Sequence, residues 1–295
     1  MTSATERTPI ETQPQASIPG SSTLLIGPAG TGKTTAIPTF IAAGIETFVL
    51  ITDPRGEESL IDAMELHNLP MDKLHWHYVA QASPSWATLQ TMATTITSLS
   101  YKAVTEIKSG LNKQDYQQFF NMLAVCANFK CQRDGKEYGA IDSWGPNRAF
   151  AFDSMSGLNT MSMDMTIGSK PAAHQGEWGI AMNAEERFIK KCCSDLRCYF
   201  LLTAHLQRLV DELAGGMTLM VDALGTKLAP KIPKDFSDVV LAVKAGIEFT
   251  WSTAAINVDL KNRALPIADK LKPDFGQMVD KWKQRTAAAQ TQGKE

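Results

Sequence analysis

Ser22-Thr23-Leu24-Leu25-Ile26, followed by Gly27-Pro28-Ala29-Gly30-Thr31-Gly32-Lys33-Thr34, sets the reading of the whole chain. The first five residues form a short apolar run of the kind that makes a buried strand. The next eight are a complete phosphate-binding loop, G-x-x-x-x-G-K-[ST]. Its glycines let the backbone curl until successive N–H groups converge on one point. That concavity, with the start of the helix behind it, attracts phosphate oxygens. Lys33 is placed to reach the β- and γ-phosphates, and the Thr34 hydroxyl to ligate Mg²⁺. The expected nucleotide contacts are Gly27, Pro28, Ala29, Gly30, Thr31, Gly32, Lys33, Thr34 and Thr35. The helix behind the loop is predicted from Thr35 to Ala43, with Gly44 as its stop. Pro38 lies past the first turn, so this helix should be short or kinked.

The chain has 295 residues, enough for one large α/β domain or two small ones, and 44% of them are hydrophobic. The formal net charge is −2, which excludes a strongly basic nucleic-acid binder. Contact with nucleic acid then needs a local patch or an assembly. No apolar run is long enough to cross a membrane, and no secretory signal stands at the N-terminus. The expected setting is the cytoplasm. Five cysteines, an odd count, read as reduced thiols. The Cys192, Cys193 and Cys198 group lacks a partnered Cys-x-x-Cys pair and does not read as a zinc site.

Residues 1–20 are rich in Thr, Pro, Gln and Ser and read as a disordered tail. Residues 284–295 read as a flexible C-terminal tail, leaving 21–283 as a single domain. Strand-like runs are Thr47–Thr52, Leu74–Val79, Arg148–Phe152 and Cys198–Thr203. Between them, 84–131 reads as two helices broken near Gly110, and 181–196 as helical. Residues 218–223, 238–243 and 249–260 are strand-like with short turns. Strands alternating with helices, then a run of strands, predict an α/β fold. It would have a mostly parallel, twisted sheet flanked by helices, with antiparallel strands at its C-terminal edge.

A phosphate loop needs an acid to hold the metal's water shell. Asp153 ends the apolar run Ala149-Phe150-Ala151-Phe152, and so falls at the carboxyl end of a buried strand, where α/β proteins bind ligands. A helix N-cap is the other use of an Asp-Ser pair at 153–154. Hydrolysis further needs a carboxylate to orient water, and Asp53 and Glu57 are equal candidates. His205, just past the strand ending at Thr203, is the candidate sensor of the γ-phosphate. His75 and His77 flank Trp76 on alternate faces of a strand and read as structural. Lys261 and Arg263, two apart at the end of the last strand-like run, would share a face and could reach a phosphate together.

In this order, a phosphate loop, an Asp-ended strand, a polar residue after the next strand and a late Lys-x-[Lys/Arg] resemble the RecA-like recombinase ATPases. Phe200 to His205 and Ala223-Leu224-Gly225-Thr226-Lys227-Leu228-Ala229-Pro230 resemble more narrowly a set of bacteriophage ATPases with a single RecA-like core, including annealing proteins of the fourth Sak class. The resemblance covers roughly residues 20–275. Arg55 stands where the family has a glutamate, and His205 where it has a glutamine. The resemblance implies a RecA-like P-loop core, the cofactors ATP and Mg²⁺, and a homo-oligomer with nucleotide at the subunit interface. Lys261 and Arg263 would then act on a neighbour's γ-phosphate. It further implies single-stranded DNA as partner, alongside a single-strand-binding protein, in a phage-infected cell's cytoplasm. The two DNA loops would fall at 166–179, with Lys170 and Trp178, and at 207–217, with Arg208; a cation beside an aromatic suits a phosphate and a stacked base.

The function so implied is an ATP-hydrolysing protein of phage DNA recombination, stimulated by DNA, that promotes annealing or strand exchange. The alternatives are a nucleotide-gated assembly or accessory protein of a replication or packaging complex with little turnover, and a RecA-type helicase or motor. A small-molecule kinase lacks the Arg-rich lid such enzymes carry.

Overall fold

The apolar runs Ser22–Ile26, Glu46–Ile51, Arg148–Asp153 and Tyr199–Ala204 become strands buried on both faces. The computed structural model describes residues 18–81, 84–106, 115–168, 170–211 and 216–292. Its elements are β1 (Ser22–Ile26), α1 (Lys33–Ala36), α2 (Thr39–Ala42), β2 (Glu46–Ile51), α3 (Gly56–Leu66), β3 (Leu74–Tyr78), α4 (Trp86–Ser98), α5 (Tyr101–Thr105), α6 (Gln118–Ala127), β4 (Arg148–Asp153), α7 (Met155–Ile167), α8 (Gln175–Asp195), β5 (Tyr199–Ala204), β6 (Leu206–Asp211), β7 (Gly216–Val221), β8 (Asp238–Ala245), β9 (Glu248–Ser252) and α9 (Gly276–Gln292).

Seven strands form one sheet in the order β3-β2-β4-β5-β1-β8-β9. All neighbours are parallel except β8 and β9, which pair antiparallel at the C-terminal edge. This is the fold class expected from the sequence. Alternate residues of each strand feed two cores. Leu24, Phe48, Phe150, Phe152 and Phe200 face one core, with α6, α7 and α8. Leu25, Val49, Ala151 and Leu201 face the other, with α1, α2, α3 and α9. Because parallel strands present all their carboxyl ends on one edge, the loops after β1, β2, β4 and β5 meet there.

Several expectations are corrected. The helix expected over Thr35–Ala43 is two separate single turns, α1 and α2, with Pro38 between them. Residues 155–167, not expected as helix, form α7, and α8 begins at Gln175 rather than near 181. Of the segment 207–217, expected as a loop, residues 207–211 lie in β6 and 216–217 in β7, which pair antiparallel. The strand-like run 249–260 is a strand only to Ser252. Helix α9 runs through Gln292 into the segment read as a tail, with Lys283 Nζ donating to Ala43 O at 3.2 Å and Arg285 Nη2 to Arg263 O. Of the N-terminal tail, residues 1–17 lie outside the described residues, while the Gly20 N–H donates to Arg197 O. The break expected near Gly110 also lies outside them.

One core group carries a measurable cost. Glu185 on α8 is fully buried. Burial pushes its carboxyl from 4.5 up to about 8, with the Asp222 charge adding to the rise and the Leu224 N–H opposing it. A raised acid keeps its proton in the fold at pH values where the unfolded chain has lost it. The stability contributed by this group is therefore fully present below about pH 4.5, falls as pH rises, and is lost above about pH 8. The loss is on the order of 3–5 kcal/mol. Glu185→Gln is expected to flatten this slope and to be the more stable form at pH 8.5 in urea denaturation. A wild-type slope retained in the variant would show that another group is responsible.

Candidate functional site: the carboxyl edge around the phosphate loop

The loop leaves β1 with the Gly27 N–H still paired to Ala204 O on β5 at 3.1 Å. Gly30 and Gly32 take φ of 72° and 80°, the left-handed region that suits a residue without Cβ. The Thr31 hydroxyl donates to Pro28 O at 2.8 Å and ties the curl together. A Cβ on Gly27 would fall 2.7 Å from Ala242 O on β8, so the loop lies tight against that strand.

Lys33 folds back over the loop. Its Nζ donates to Gly27 O at 2.8 Å and Pro28 O at 2.9 Å, and stands 3.5 Å from His205 Nδ1. Burial pulls its ammonium below the ordinary lysine value, while the charges of Asp153 and then Asp53 oppose that shift.

Thr34 Oγ1 donates to Asp153 Oδ2 at 2.8 Å across 119 residues of sequence. Thr203, next to last in the intervening strand β5, donates its hydroxyl to Asp153 Oδ1. Asp153 is buried, and burial raises its carboxyl above the ordinary aspartate value. The Thr203 and Thr34 hydroxyls pull it down, the Asp53 charge raises it, and Lys33 pulls it down. A hydroxyl and a carboxylate side by side are hard oxygen donors, and they suit Mg²⁺ held with much of its water shell. The pair sits beside the lysine and the open loop, so Thr34 and Asp153 fit the metal role, and the loop N–H groups with Lys33 fit the phosphates.

Asp53 is drawn to the same edge. Ser154 Oγ donates to it, at 2.9 Å to Oδ1 and 3.0 Å to Oδ2. Thr52 braces the junction: its hydroxyl donates to Ser154 O at 3.0 Å and accepts from Ser154 N–H at 2.8 Å. Gly157 in the first turn of α7 lets Thr52 come this close, since a Cβ there would meet the Thr52 side chain at 2.3 Å. Arg55 has φ 60° and turns the chain into α3. Glu57 stands in the first turn of α3 with Oε2 buried and without a hydrogen-bond partner.

The structure thus brings Lys33, Thr34, Asp53, Asp153 and His205 together. Thr52, Ser154 and Thr203 belong with them and were missed by the sequence reading. Their signal was a small hydroxyl residue at the carboxyl end of three apolar runs.

The late cation pair lies elsewhere. Asp238, which starts β8, is in register with Thr23 near the start of β1, at the end of the sheet away from the loop. It accepts the Arg263 N–H at 2.7 Å. Lys261 pairs with Val239, and its Nζ donates to Lys234 O at 2.9 Å and to Phe236 O. The two do not share a strand face, because only an isolated bridge forms at Lys261 and Arg263 stands in a bend. Neither meets its own chain's loop. Of the expected DNA contacts, Lys170 is spent on Glu177, at 2.7 and 2.8 Å to its two oxygens. Trp178 is partly exposed in the first turn of α8, and Arg208 is exposed on β6.

Fold and site together define a P-loop α/β domain whose loop threonine is bonded to a strand-end aspartate. Among solved structures, the chain is similar to one titled "Crystal structure of the RadB recombinase". The two are 12% identical over 86% of each chain, with a TM-score of 0.38. A likeness of that degree carries no argument about activity. No protein-family model and no curated protein matches the chain.

Proposed function

We propose that the chain is a RecA-like ATPase that binds ATP·Mg²⁺ and acts, as an oligomer on single-stranded DNA, in phage DNA recombination by annealing or strand exchange. The observation that carries the nucleotide part is the Thr34–Asp153 hydrogen bond beside a buried Lys33. It is the hydroxyl–carboxylate pair that a phosphate-bound Mg²⁺ requires, formed between residues that only the fold brings together. The bound magnesium would neutralise charge on the phosphates. Lys33 would leave the Gly27 and Pro28 carbonyls for phosphate oxygens, and the loop N–H groups would orient them. Asp53, held at this edge by Ser154, or Glu57 would take up the attacking water's proton. His205 would report the occupant to the β6–β7 hairpin, since its carbonyl accepts the Asp222 N–H at 2.9 Å.

The DNA part rests on the resemblance of motif order. Because Lys261 and Arg263 stand at the far end of the sheet, a role for them at a γ-phosphate requires a neighbouring copy. Single-stranded DNA is expected to raise ATP turnover severalfold, and to enlarge the particle formed with a non-hydrolysable ATP analogue, as read by light scattering. If neither turnover nor particle size responds to DNA, the recombination reading fails while nucleotide binding stands.

A second reading is favoured by one feature. Both oxygens of Asp53 are engaged by Ser154, and Arg55 occupies the position where the family carries a glutamate. A nucleotide-gated assembly protein with little turnover fits that geometry. Steady hydrolysis that is lost in Asp53→Asn or Glu57→Gln would exclude it.

A further inference from the structure

At the opposite edge of the sheet from β9, a short turn packs against β3. The Cys131 N–H donates to Lys136 O and the Gly135 N–H to Cys131 O, both at 2.9 Å. Gly135 closes the turn with φ 72°, a conformation costly for a residue with a side chain. Two residues of the turn, Cys131 and Asp134, bring their ligand atoms together with His75 of β3. All three ligand atoms lie within 4.8 Å of one another.

His75 is 1% exposed, and its two ring nitrogens stand 3.3 and 3.4 Å from the carboxylates of Glu46 and Asp134 without well-formed hydrogen bonds. Contacts this long are unusual for a buried imidazole, which ordinarily makes full hydrogen bonds. Its Nδ1 stands 3.4 Å from Asp134 Oδ2. Zinc bonds of about 2.0–2.1 Å at tetrahedral angles set neighbouring nitrogen and oxygen ligands about 3.4 Å apart. The other nitrogen, Nε2, faces Glu46 Oε1 at 3.3 Å, and Glu46 is held in turn by Arg148 Nε at 2.9 Å. A carboxylate behind the far nitrogen of a histidine is the usual support of a metal-bound imidazole. Asp134 is fixed through both oxygens: Oδ1 accepts the Lys136 N–H at 3.0 Å, and Oδ2, the oxygen facing His75, also accepts from Tyr138 Oη at 2.8 Å and Arg133 Nη2 at 3.2 Å. Arg133 is itself anchored by its Nε on Leu74 O.

We propose that His75, Cys131 and Asp134 bind a zinc ion, with water as fourth ligand on the Asp134 side, and that the ion clasps the 129–139 turn to β3. A thiolate, an imidazole and a carboxylate together select zinc over magnesium or calcium. The role is structural and independent of the phosphate loop. It also revises the reading of His75 from the sequence, which had no reason to bring Cys131 and Asp134 to a histidine more than fifty residues earlier.

The full chain, produced in zinc-supplemented medium and passed through a desalting column, is expected to carry one zinc per chain by elemental analysis. Cys131→Ser and His75→Gln should lose it, and Lys33→Ala should keep it. Should those two variants fail to fold, the wild-type chain decides alone. After zinc removal by a chelator, added Co²⁺ should give a thiolate-to-cobalt charge-transfer band in the near ultraviolet and restore the melting temperature lost with zinc. Wild-type protein without zinc, and no such band with cobalt, would overturn the proposal. The cluster would then be an imidazole held between two carboxylates.

Discussion

Replacing Lys33 with alanine is expected to lower ATP hydrolysis by about 10²–10³-fold, the effect of deleting one preorganised charge that meets a developing anion. The reasoning starts from what Lys33 does without ligand. Its ammonium is buried and held by the Gly27 and Pro28 carbonyls, with His205 Nδ1 a longer contact at 3.5 Å, and burial pulls its proton affinity down. A polyanion would offer it a stronger partner at the same spot. The substitution removes a charge that the fold holds at a cost, so the ligand-free variant should melt near the wild-type temperature. The decisive readout is the melting shift on adding ATP·Mg²⁺. A ligand that binds only the native state raises stability with its concentration, so the wild type should shift and the variant should not. Equal shifts in the two proteins would refute the assignment of the loop.

Asp153→Asn is expected to weaken Mg²⁺-dependent nucleotide binding on the order of 10–100-fold, as for a residue that orients a metal's outer shell. Its effect on stability should have the opposite sign. Burial raises the Asp153 carboxyl above its ordinary value, so the folded chain keeps a proton that the unfolded chain gives up as pH rises. Wild-type stability from this group is present at low pH and lost as pH climbs through the unfolded and then the folded value. The asparagine variant lacks that loss, so without metal at neutral pH it should be the more stable protein. Thr34 and Thr203 can turn their hydroxyls to accept from the amide. Adding Mg²⁺ and ATP should reverse the ranking. Isothermal titration with and without Mg²⁺, beside urea melts across pH, measures both halves. A variant that binds as well as wild type in Mg²⁺ would remove Asp153 from the metal role.

The strands around the site were legible because each is a short apolar run ended by a polar residue, the pattern of a strand buried on both faces. Asp53, Asp153 and His205 could be picked out by that ending alone. Helix α7 was missed because its methionines, serines and threonines carry little periodic contrast, so no amphipathic stripe announces it. The β6–β7 hairpin was read as a loop because its pairing is settled between strands, by partners such as Arg208 and Leu219. The late cations were placed on one strand face because 249–260 is rich in β-formers. Those residues leave the sheet after Ser252, where Thr253 turns to bond Pro266 O at 2.6 Å instead.

The sequence by itself determined what is local: the phosphate loop, whose conformation follows from glycines at fixed offsets, and the alternation of buried strands with helices. Only the tertiary structure decided which distant groups meet. Asp153 reaches Thr34 because β5 alone separates β4 from β1, and Lys261 is kept from the loop because it pairs near the start of β8. Strand order and register are set by the packing of two whole cores, and no window of sequence contains that sum. The loop could therefore be read from its eight residues, while the carboxylate, hydroxyls and histidine that complete its site became a site only when the sheet closed around them.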